Sequence, residues 1–493
     1  MQETSRELHQ TLVMTQSNLL TQESASTLVL AEPSNFKPKG LKSIKRLQSK
    51  QDLVEAIGWG SLIWVTLTFL LDGGANAVVN LSSALNTVNR LSALLATDLL
   101  LIQVLLIARV PWLDKLYGHD RATLTHKKLG KPILYLVILH FVTVIWSYSI
   151  LDSGNVIDET LSLINSVSDY LLATISFVLM ILVVVTSLNF ARKRLPYEAW
   201  YLIHLFAYGA VMLAIPHQIN SGSDIAGKPL AQAFWIGAYL FVALNILWFR
   251  LLQPIVFSGF SGLKVSKTVA EASDATSIYV TGRKLSKFDA HAGQFFIVRV
   301  ITWKQWWRAH PFSLSAAPTN DSLRFTIGNR GDDTAQLQNI KPGTRVILEG
   351  PYGVFTEERR TQDHVVLVAA GIGAPPIRAL AESISAGPTE ATIIYRVRNS
   401  NDAALIAELK EIAKRRGFYI HILEGSRKHP QSWFPAGVND QFPDHERLQA
   451  LVPNIGKSDV FICGPSAFTK AVERSLTKVG TPLNQIHAEE FAW

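Results

Sequence analysis

Only one cysteine, Cys463, occurs in 493 residues. A single thiol closes no internal disulfide framework and supplies no clustered-cysteine zinc or iron–sulfur site. Charge is scarce, at 17% of residues, and unevenly spread: residues 53–252 hold the long apolar runs and most ionisable side chains lie outside them. No internal repeat is present, nor a complete G-x-G-x-x-G fingerprint. Nothing resembles a calcium-binding loop or a phosphorylation-controlled partner site. The start lacks a charged stretch followed by an apolar core and a small-residue cleavage site, so no signal peptide is expected. Residues 1–36, rich in Ser, Thr, Gln and Glu, read instead as a flexible cytosolic tail.

What is present points to a membrane. The chain is 48% hydrophobic, with 12 Trp and 23 Phe, against 47 Lys and Arg and 39 Asp and Glu. Six apolar segments are expected near 53–71, 91–110, 130–150, 170–190, 199–216 and 230–252. A basic collar (Lys37, Lys39, Lys42, Lys45, Arg46, Lys50) precedes the first. Lys115, Arg121, Lys127, Lys128 and Lys131 fill one loop and Arg192, Lys193 and Arg194 another, whereas the opposite loops hold only Arg90 and Lys228. This asymmetry places both termini in the cytosol, at a plasma or cytoplasmic membrane. The net charge of +8 is thereby a topology signal and not a nucleic-acid surface, so lipid is the expected partner and nucleic acid is not.

Two of these segments carry paired histidines. His126 and His140 are 14 residues apart, His204 and His217 13 apart. At about 1.5 Å per helical residue each pair spans roughly 20 Å along the membrane normal. One histidine from each helix can therefore meet near the inner face and one near the outer. A single histidine in an apolar helix is usually a packed or interfacial residue. Four in two matched spacings are costly inside a bilayer and point to function, and two facing imidazoles at each level suit two b-type haems, one above the other. A gap of 13 residues lands about 140° away on an ideal helix, so the second helix is expected to be distorted locally, with Pro216 as the cause. Arg90, opening the second span with an uncompensated charge, is either an interfacial anchor that snorkels to water or a group holding a haem propionate or an anionic product.

Beyond Pro254 short β-like runs alternate with Gly, Pro and Asp. Segments 264–271, 277–283, 294–300, 323–328 and 345–349 read as a small antiparallel barrel, closed by a Gly350-Pro351-Tyr352-Gly353 turn. From His364 on, strands at 365–369, 391–396, 418–423 and 459–463 alternate with helices at 374–386, 402–416 and 466–479, the pattern of a parallel sheet wrapped by helices. The expected fold is thus a multidomain membrane protein. Residues 1–52 form a basic N-terminal segment and 53–252 a six-helix transmembrane bundle. Residues 258–360 form an antiparallel β-barrel flavin domain and 361–493 an α/β parallel-sheet nucleotide-binding domain.

His310-Pro311-Phe312-Ser313 offers what a flavin needs: an apolar face, a hydroxyl near N5 and a donor for the pyrophosphate. Packing at a proline-bent strand end is the alternative. Gly331 and Thr334 at a helix start suit a phosphate. Gly371-Ile372-Gly373-Ala374-Pro375-Pro376 is a strand–glycine–helix turn of the kind that lets amides approach a pyrophosphate. Arg396 and Arg398, at the end of the next strand, are candidates for the 2′-phosphate of NADPH, or else solvated strand-end charges, which leaves NADH open. Cys463-Gly464-Pro465 ends a strand at the same sheet edge, where its sulfur either lies against a nicotinamide or packs as a small hydrophobe. The terminal Trp493 either covers the flavin face or seals the sheet. Trp303, Trp306 and Trp307 are barrel core by default, or a docking surface toward the membrane.

These motifs, in this order, resemble the ferric reductase and NADPH oxidase superfamily from about residue 53 to the end. The resemblance implies haem ligation by His126 with His204 (inner) and His140 with His217 (outer). It places His310 by the FAD phosphates, Phe312 along the isoalloxazine, Ser313 at N5, Gly371 and Gly373 by the nicotinamide cofactor's phosphates, and Arg90 beside the haems. Superoxide-forming members place a further histidine one turn after the outer ligand, where this chain has Val144. The expected activity is that of an NAD(P)H-dependent oxidoreductase. Electrons would pass from NADPH through FAD and two b-type haems to an acceptor across the membrane, ferric iron before dioxygen. A membrane-anchored FAD/NAD(P)H reductase without haem is the remaining alternative.

Overall fold

The computed structural model describes residues 33–490, except 34, 39, 40, 77, 153, 167, 273, 304, 330, 428, 430, 438 and 439. The expected tail falls almost wholly outside the described residues, and so does Trp493. The chain divides into two compact units, Gln48–Leu251 and one containing Leu252–Trp493.

Among the described residues six helices are long and apolar enough to cross a membrane: Lys45–Leu71, Leu81–Leu106, Arg121–Leu151, Ser168–Ser187, Tyr197–Asn220 and Pro229–Ser261. Each overlaps an apolar segment of the sequence and starts before it, while the second and fourth end a few residues short of the expected limits of 110 and 190. The second starts at Leu81, not 91. Asn80 accepts from the Ser83 amide at 2.9 Å while Ser83 Oγ accepts from the Asn80 amide at 3.0 Å, a reciprocal cap that satisfies two of the free donors of a helix start. Arg90 consequently lies inside this helix and does not open it. Two shorter helices, Pro111–Tyr117 and Val156–Ser166, were not expected. The latter is initiated by Asn155, whose side chain accepts from the amides of Ile157 and Asp158, both at 2.9 Å. The sixth span loosens into a π-helical stretch over Ile246–Leu252.

The second span packs along the third and the fourth along the fifth. Hydroxyl-to-carbonyl bonds tie each couple: Ser82 Oγ donates to the Ser147 carbonyl at 2.8 Å, and Ser176 Oγ to the Ala210 carbonyl at 2.7 Å. Such bonds satisfy hydroxyls that would otherwise be buried without a partner.

In the second unit β1 (Lys264–Ala272), β2 (Ala275–Thr281) and β5 (Ser322–Gly328) form one antiparallel sheet, and β4 (His310–Ser313), β3 (Phe295–Val300) and β6 (Val346–Tyr352) another. The two meet only through single bridges, Lys264 to Arg345 and Leu314 to Phe325, so the barrel is complete in order but not in pairing. Their facing side chains, including Phe296, Leu314, Phe325 and Leu348, make one core. The Gly350–Tyr352 stretch expected to be a turn continues β6. A five-stranded parallel sheet follows in the order β11-β10-β7-β8-β9: β7 Val365–Ala370, β8 Ala391–Val397, β9 Tyr419–Glu424, β10 Asp459–Gly464 and β11 Ile486–Glu490. β11 and the helix Asp444–Leu451 escaped the sequence reading. β7, β8 and β10 are buried throughout, as expected for strands covered on both faces.

A buried ion network joins barrel to sheet. Arg324 of β5 donates to both carboxylate oxygens of Glu408, at 2.9 and 3.0 Å, and Arg378 Nε to Glu408 Oε2 at 2.6 Å. Arg378 also pairs with Glu382, which accepts from the Ala317 amide at 2.7 Å. Burial opposes the charge on Glu408, but its bonds to Arg324 and the charge of Arg378 outweigh it and lower its pKa. The unfolded chain therefore binds the Glu408 proton more readily. The stability Glu408 contributes is present above the ordinary glutamate pKa and is lost as pH falls through its lowered value. Glu408→Gln should destabilise the second unit by about 3–5 kcal/mol at neutral pH, with the gap to wild type narrowing on acidification, as read by thermal unfolding followed by circular dichroism. A gap independent of pH would show that the carboxylate is not the stabilising species.

Candidate active site

The paired helices bring the four histidines together as two facing couples. The rings of His126 and His204 have centres 6.0 Å apart, and those of His140 and His217 6.2 Å apart. A metal–imidazole bond is about 2 Å long; adding roughly 1 Å from nitrogen to ring centre on each side, two imidazoles on opposite sides of one metal stand roughly 6 Å apart. Both couples match that spacing.

Their orientation is fixed from behind. His126 Nδ1 donates to the Gln103 carbonyl at 3.0 Å and His140 Nδ1 to the Asn89 carbonyl at 3.2 Å. His204 Nδ1 lies 3.2 Å from Ser187 Oγ. That hydroxyl spends its proton on the Val183 carbonyl at 2.6 Å, so it accepts from the imidazole. Each of these bonds puts the ring proton on Nδ1 and leaves the Nε2 lone pair for a metal, the usual arrangement behind a ligating histidine. His217 Nδ1 is buried without a partner; its ring meets Tyr170 edge-on at 5.2 Å. Pro216 lies inside the fifth helix, where it removes one ladder bond, and His217 faces His140 despite the 13-residue gap.

A cavity of about 330 Å³ opens at the His140–His217 level, lined among others by Arg90, Phe141, Val144, Phe177 and Trp235. Apolar and aromatic walls with two imidazoles suit a porphyrin. Arg90 is not the uncompensated charge expected: its Nε donates to Asp224 Oδ2 at 2.8 Å, and a second bond goes to Oδ1. Asp224 was overlooked because nothing in the sequence links it to a residue so far away. Arg250, also overlooked, comes from the π-helical stretch. It donates to the Ile107 carbonyl at 3.1 Å and lies close enough to act electrostatically on both His126 and His204.

In the second unit β4 carries the HPFS residues. His310 stacks on Phe312, ring centres 5.8 Å apart and planes 10° apart. Burial, then Arg308 and Arg299, push the His310 pKa down to about 4, so it is neutral at physiological pH. Ser313 Oγ is buried and has no hydrogen-bond partner, an orphan that a flavin acceptor would satisfy. Gly331 has φ 138° and heads the short helix Asp332–Gln338, while the Thr334 hydroxyl donates to the Gly331 carbonyl at 3.0 Å. Any phosphate there would therefore meet backbone amides first.

The Gly371–Gly373 turn leads from β7 into the helix Ala374–Ser383, with prolines at its start. Gly371 has φ 53° and open space where a side chain would be. A Cβ on Gly373 would stand 2.0 Å from the Cys463 carbonyl oxygen, so only glycine lets the turn close on β10. The Cys463 side chain is fully buried in the core between sheet and helix. Of the two readings of its thiol, packing is the one seen, and Gly464-Pro465 carries the chain away at the sheet edge. Arg396 also differs from its candidate role. Its guanidinium is spent on the carbonyls of Trp433 (2.9 Å), Leu423 (3.0 Å), Gly425 (2.6 Å) and Val397. Arg398 beside it is exposed, and Arg427 from the end of β9 adds positive charge to the same corner. The aromatic triad is not core: Trp303 is 93% exposed and Trp306 58%.

Three family models match in order. A ferric reductase like transmembrane component covers residues 92–215, an FAD-binding domain 262–356, and an oxidoreductase NAD-binding domain 367–474. The chain belongs to the ferric reductase and NADPH oxidase superfamily. It is a multi-pass integral membrane protein that carries an FAD-binding and a nicotinamide-nucleotide-binding domain. It is similar to the ferredoxin reductase component of 3-ketosteroid-9-alpha-monooxygenase from Mycolicibacterium smegmatis, at 31% identity over 46% of this chain and 65% of the relative. A flavohemoprotein of Bacillus subtilis is 27% identical over 46% and 58%. Respiratory burst oxidase homolog protein D of Arabidopsis thaliana is 28% identical over 40% and 23%. The chain thus spans less than two thirds of the length of these relatives.

The two arginines separate by experiment. Arg396→Ala leaves several buried carbonyls without a donor and should cost on the order of 3 kcal/mol in thermal stability. Arg398→Ala should leave unfolding unchanged and raise the KM for NADPH several-fold without altering that for NADH. Equal loss of both cofactors would remove the 2′-phosphate from this corner.

Proposed function

We propose that the chain is a transmembrane flavocytochrome b that carries electrons from cytosolic NADPH, by way of FAD and two b-type haems, to ferric iron on the opposite face. The observation that carries this reading is the pair of imidazole couples, 6.0 and 6.2 Å between ring centres, one near each end of the same two helices. A reductase with a mere membrane anchor has no use for them.

Bound FAD would supply the conversion between two-electron hydride chemistry and the one-electron transfers that haem carriers require. The chain's own residues set the order. Gly371, Gly373 and the helix opened by Pro375 receive the nicotinamide cofactor's phosphates, with the Cys463-Gly464-Pro465 turn bordering its ring. Arg398, helped by Arg427, favours NADPH over NADH. Phe312, stacked on His310, lies along the isoalloxazine with His310 toward the FAD phosphates, Ser313 supplies the hydroxyl toward N5, and Gly331 with Thr334 shapes the phosphate turn. Trp493 is assigned the cover of the flavin face on sequence grounds. His126 and His204 hold the inner haem, His140 and His217 the outer. Two imidazoles would occupy the ligand positions of each iron, and the haem would supply outer-sphere electron transfer to an acceptor at the cavity. Arg90 and Asp224 form a neutral ion pair in that wall.

The basic loops put both termini in the cytosol of a plasma or cytoplasmic membrane, and the domains follow the boundaries 53–252, 258–360 and 361–493. Val144 lines the outer cavity where superoxide-forming members carry a histidine, which favours ferric iron; dioxygen is the second reading. His140→Ala should abolish the absorbance of one haem and keep that of the other. It should leave flavin reduction by NADPH intact and stop reduction of a ferric chelate outside reconstituted vesicles. An unchanged haem spectrum would falsify the ligand assignment.

A further inference from the structure

One ionisable group in the membrane half takes no part in the scheme above. Asp98 lies within the second span and is 5% exposed. Ser61 Oγ of the first span donates to its Oδ1 at 2.7 Å, and its Oδ2 is buried with no hydrogen-bond partner. A carboxyl group in such a place is costly and functional by default, and a structural tie to Ser61 would need only a serine or an amide. Its level is informative. On the same helix Asn89 holds His140 and Gln103 holds His126. Asp98 therefore stands between the two histidine levels, roughly 13 Å along the axis from one and about 8 Å from the other.

The groups around Asp98 leave it responsive. Toward it the first span presents Ser61. The neighbouring Thr97 accepts from Gln218 Nε2 of the fifth span at 3.3 Å, and Gln218 Oε1 accepts from the Tyr239 hydroxyl of the sixth span, so the polar groups beside Asp98 on those spans are bonded to one another. On its own helix Arg90 is committed to Asp224. Among the described residues Asp98 makes no ion pair, and the Ser61 hydroxyl is its one hydrogen-bond partner. With nothing nearby to fix its charge, a unit charge arriving about 10 Å away changes its proton affinity on the order of tenfold.

We infer that Asp98 is a redox-linked proton site. It takes up a proton as electrons enter the histidine-held groups and releases it as they leave. The balance is one for one. An electron supplied by NAD(P)H adds one negative charge between the helices, and an O–H bond forms on the Asp98 carboxylate with a proton given up by water. The buried layer then keeps its net charge. The inference rests on the flavocytochrome reading.

The test is spectroelectrochemical titration of the intact, haem-loaded protein at several pH values. In the wild type the midpoint of at least one haem should fall as pH rises, up to the about 59 mV per tenfold change in proton concentration set by one proton per electron. Asp98→Asn should keep haem content and spectrum but lose the slope, and Asp98→Glu should keep it. Redox-difference infrared spectra of the wild type should show a protonated-carboxyl band growing on reduction. This readout decides even if Asp98→Asn fails to fold, since absence of the band overturns the inference. A pH-independent wild-type midpoint, or an unchanged slope in Asp98→Asn, overturns it too. A preparation without two haems per chain refutes the underlying reading instead, and the inference with it.

Discussion

Backbone carbonyls of Asn89 and Gln103 hold the Nδ1 protons of His140 and His126, and the account of the membrane half depends on that hold. A helical carbonyl has two lone pairs, so one already bonded in the ladder can accept a second donor from a neighbouring helix. The bond fixes the tautomer, turns Nε2 toward the opposing helix, and stops a costly polar ring from swinging toward lipid or water. Ser187 does the same for His204. Because both carbonyls belong to the second span, the vertical spacing of the two couples is set by that helix as much as by the helices that bear the histidines. The Ser82–Ser147 tie then keeps the second and third spans in register.

Under the proposed function the second unit solves a different problem. Hydride transfer needs two cofactor rings held in contact, which requires the flavin and nicotinamide halves to keep one geometry. Arg324, Glu408, Arg378 and Glu382 provide a buried, multiply bonded junction between them, and Gly373 lets β7 and β10 close to form the ligand edge. Buried ion pairs of this kind add little net stability but penalise every misaligned arrangement, since breaking one leaves a bare charge.

The spans, the order of modules and the four histidines were legible because each writes a strong local signal: apolar length, strand–turn rhythm, or an expensive residue in an apolar run. Helix limits were not. The Asn80 cap extends the second span through a polar stretch, and so moved Arg90 from the mouth to the interior. Long-range pairings were invisible for the same reason that Asp224 was, since no periodicity connects residue 90 to 224. Arg396 and Arg398 look alike in sequence, yet one side chain points into the fold and the other out, a distinction that depends on the β9 loop and Trp433. Cys463 reads either as a ligand neighbour or as core, and its side chain packs in the core while Gly464 and Pro465 lie at the sheet edge. Asp98 sits in a run apolar enough to hide it.

The most direct measurement is the haem content and spin state of the purified ferric protein, by pyridine haemochrome assay and electron paramagnetic resonance. Two b-type haems per chain, both low-spin with bis-imidazole signatures, are the predicted result. One haem, none, or a high-spin iron with an open axial position would contradict the facing-imidazole account.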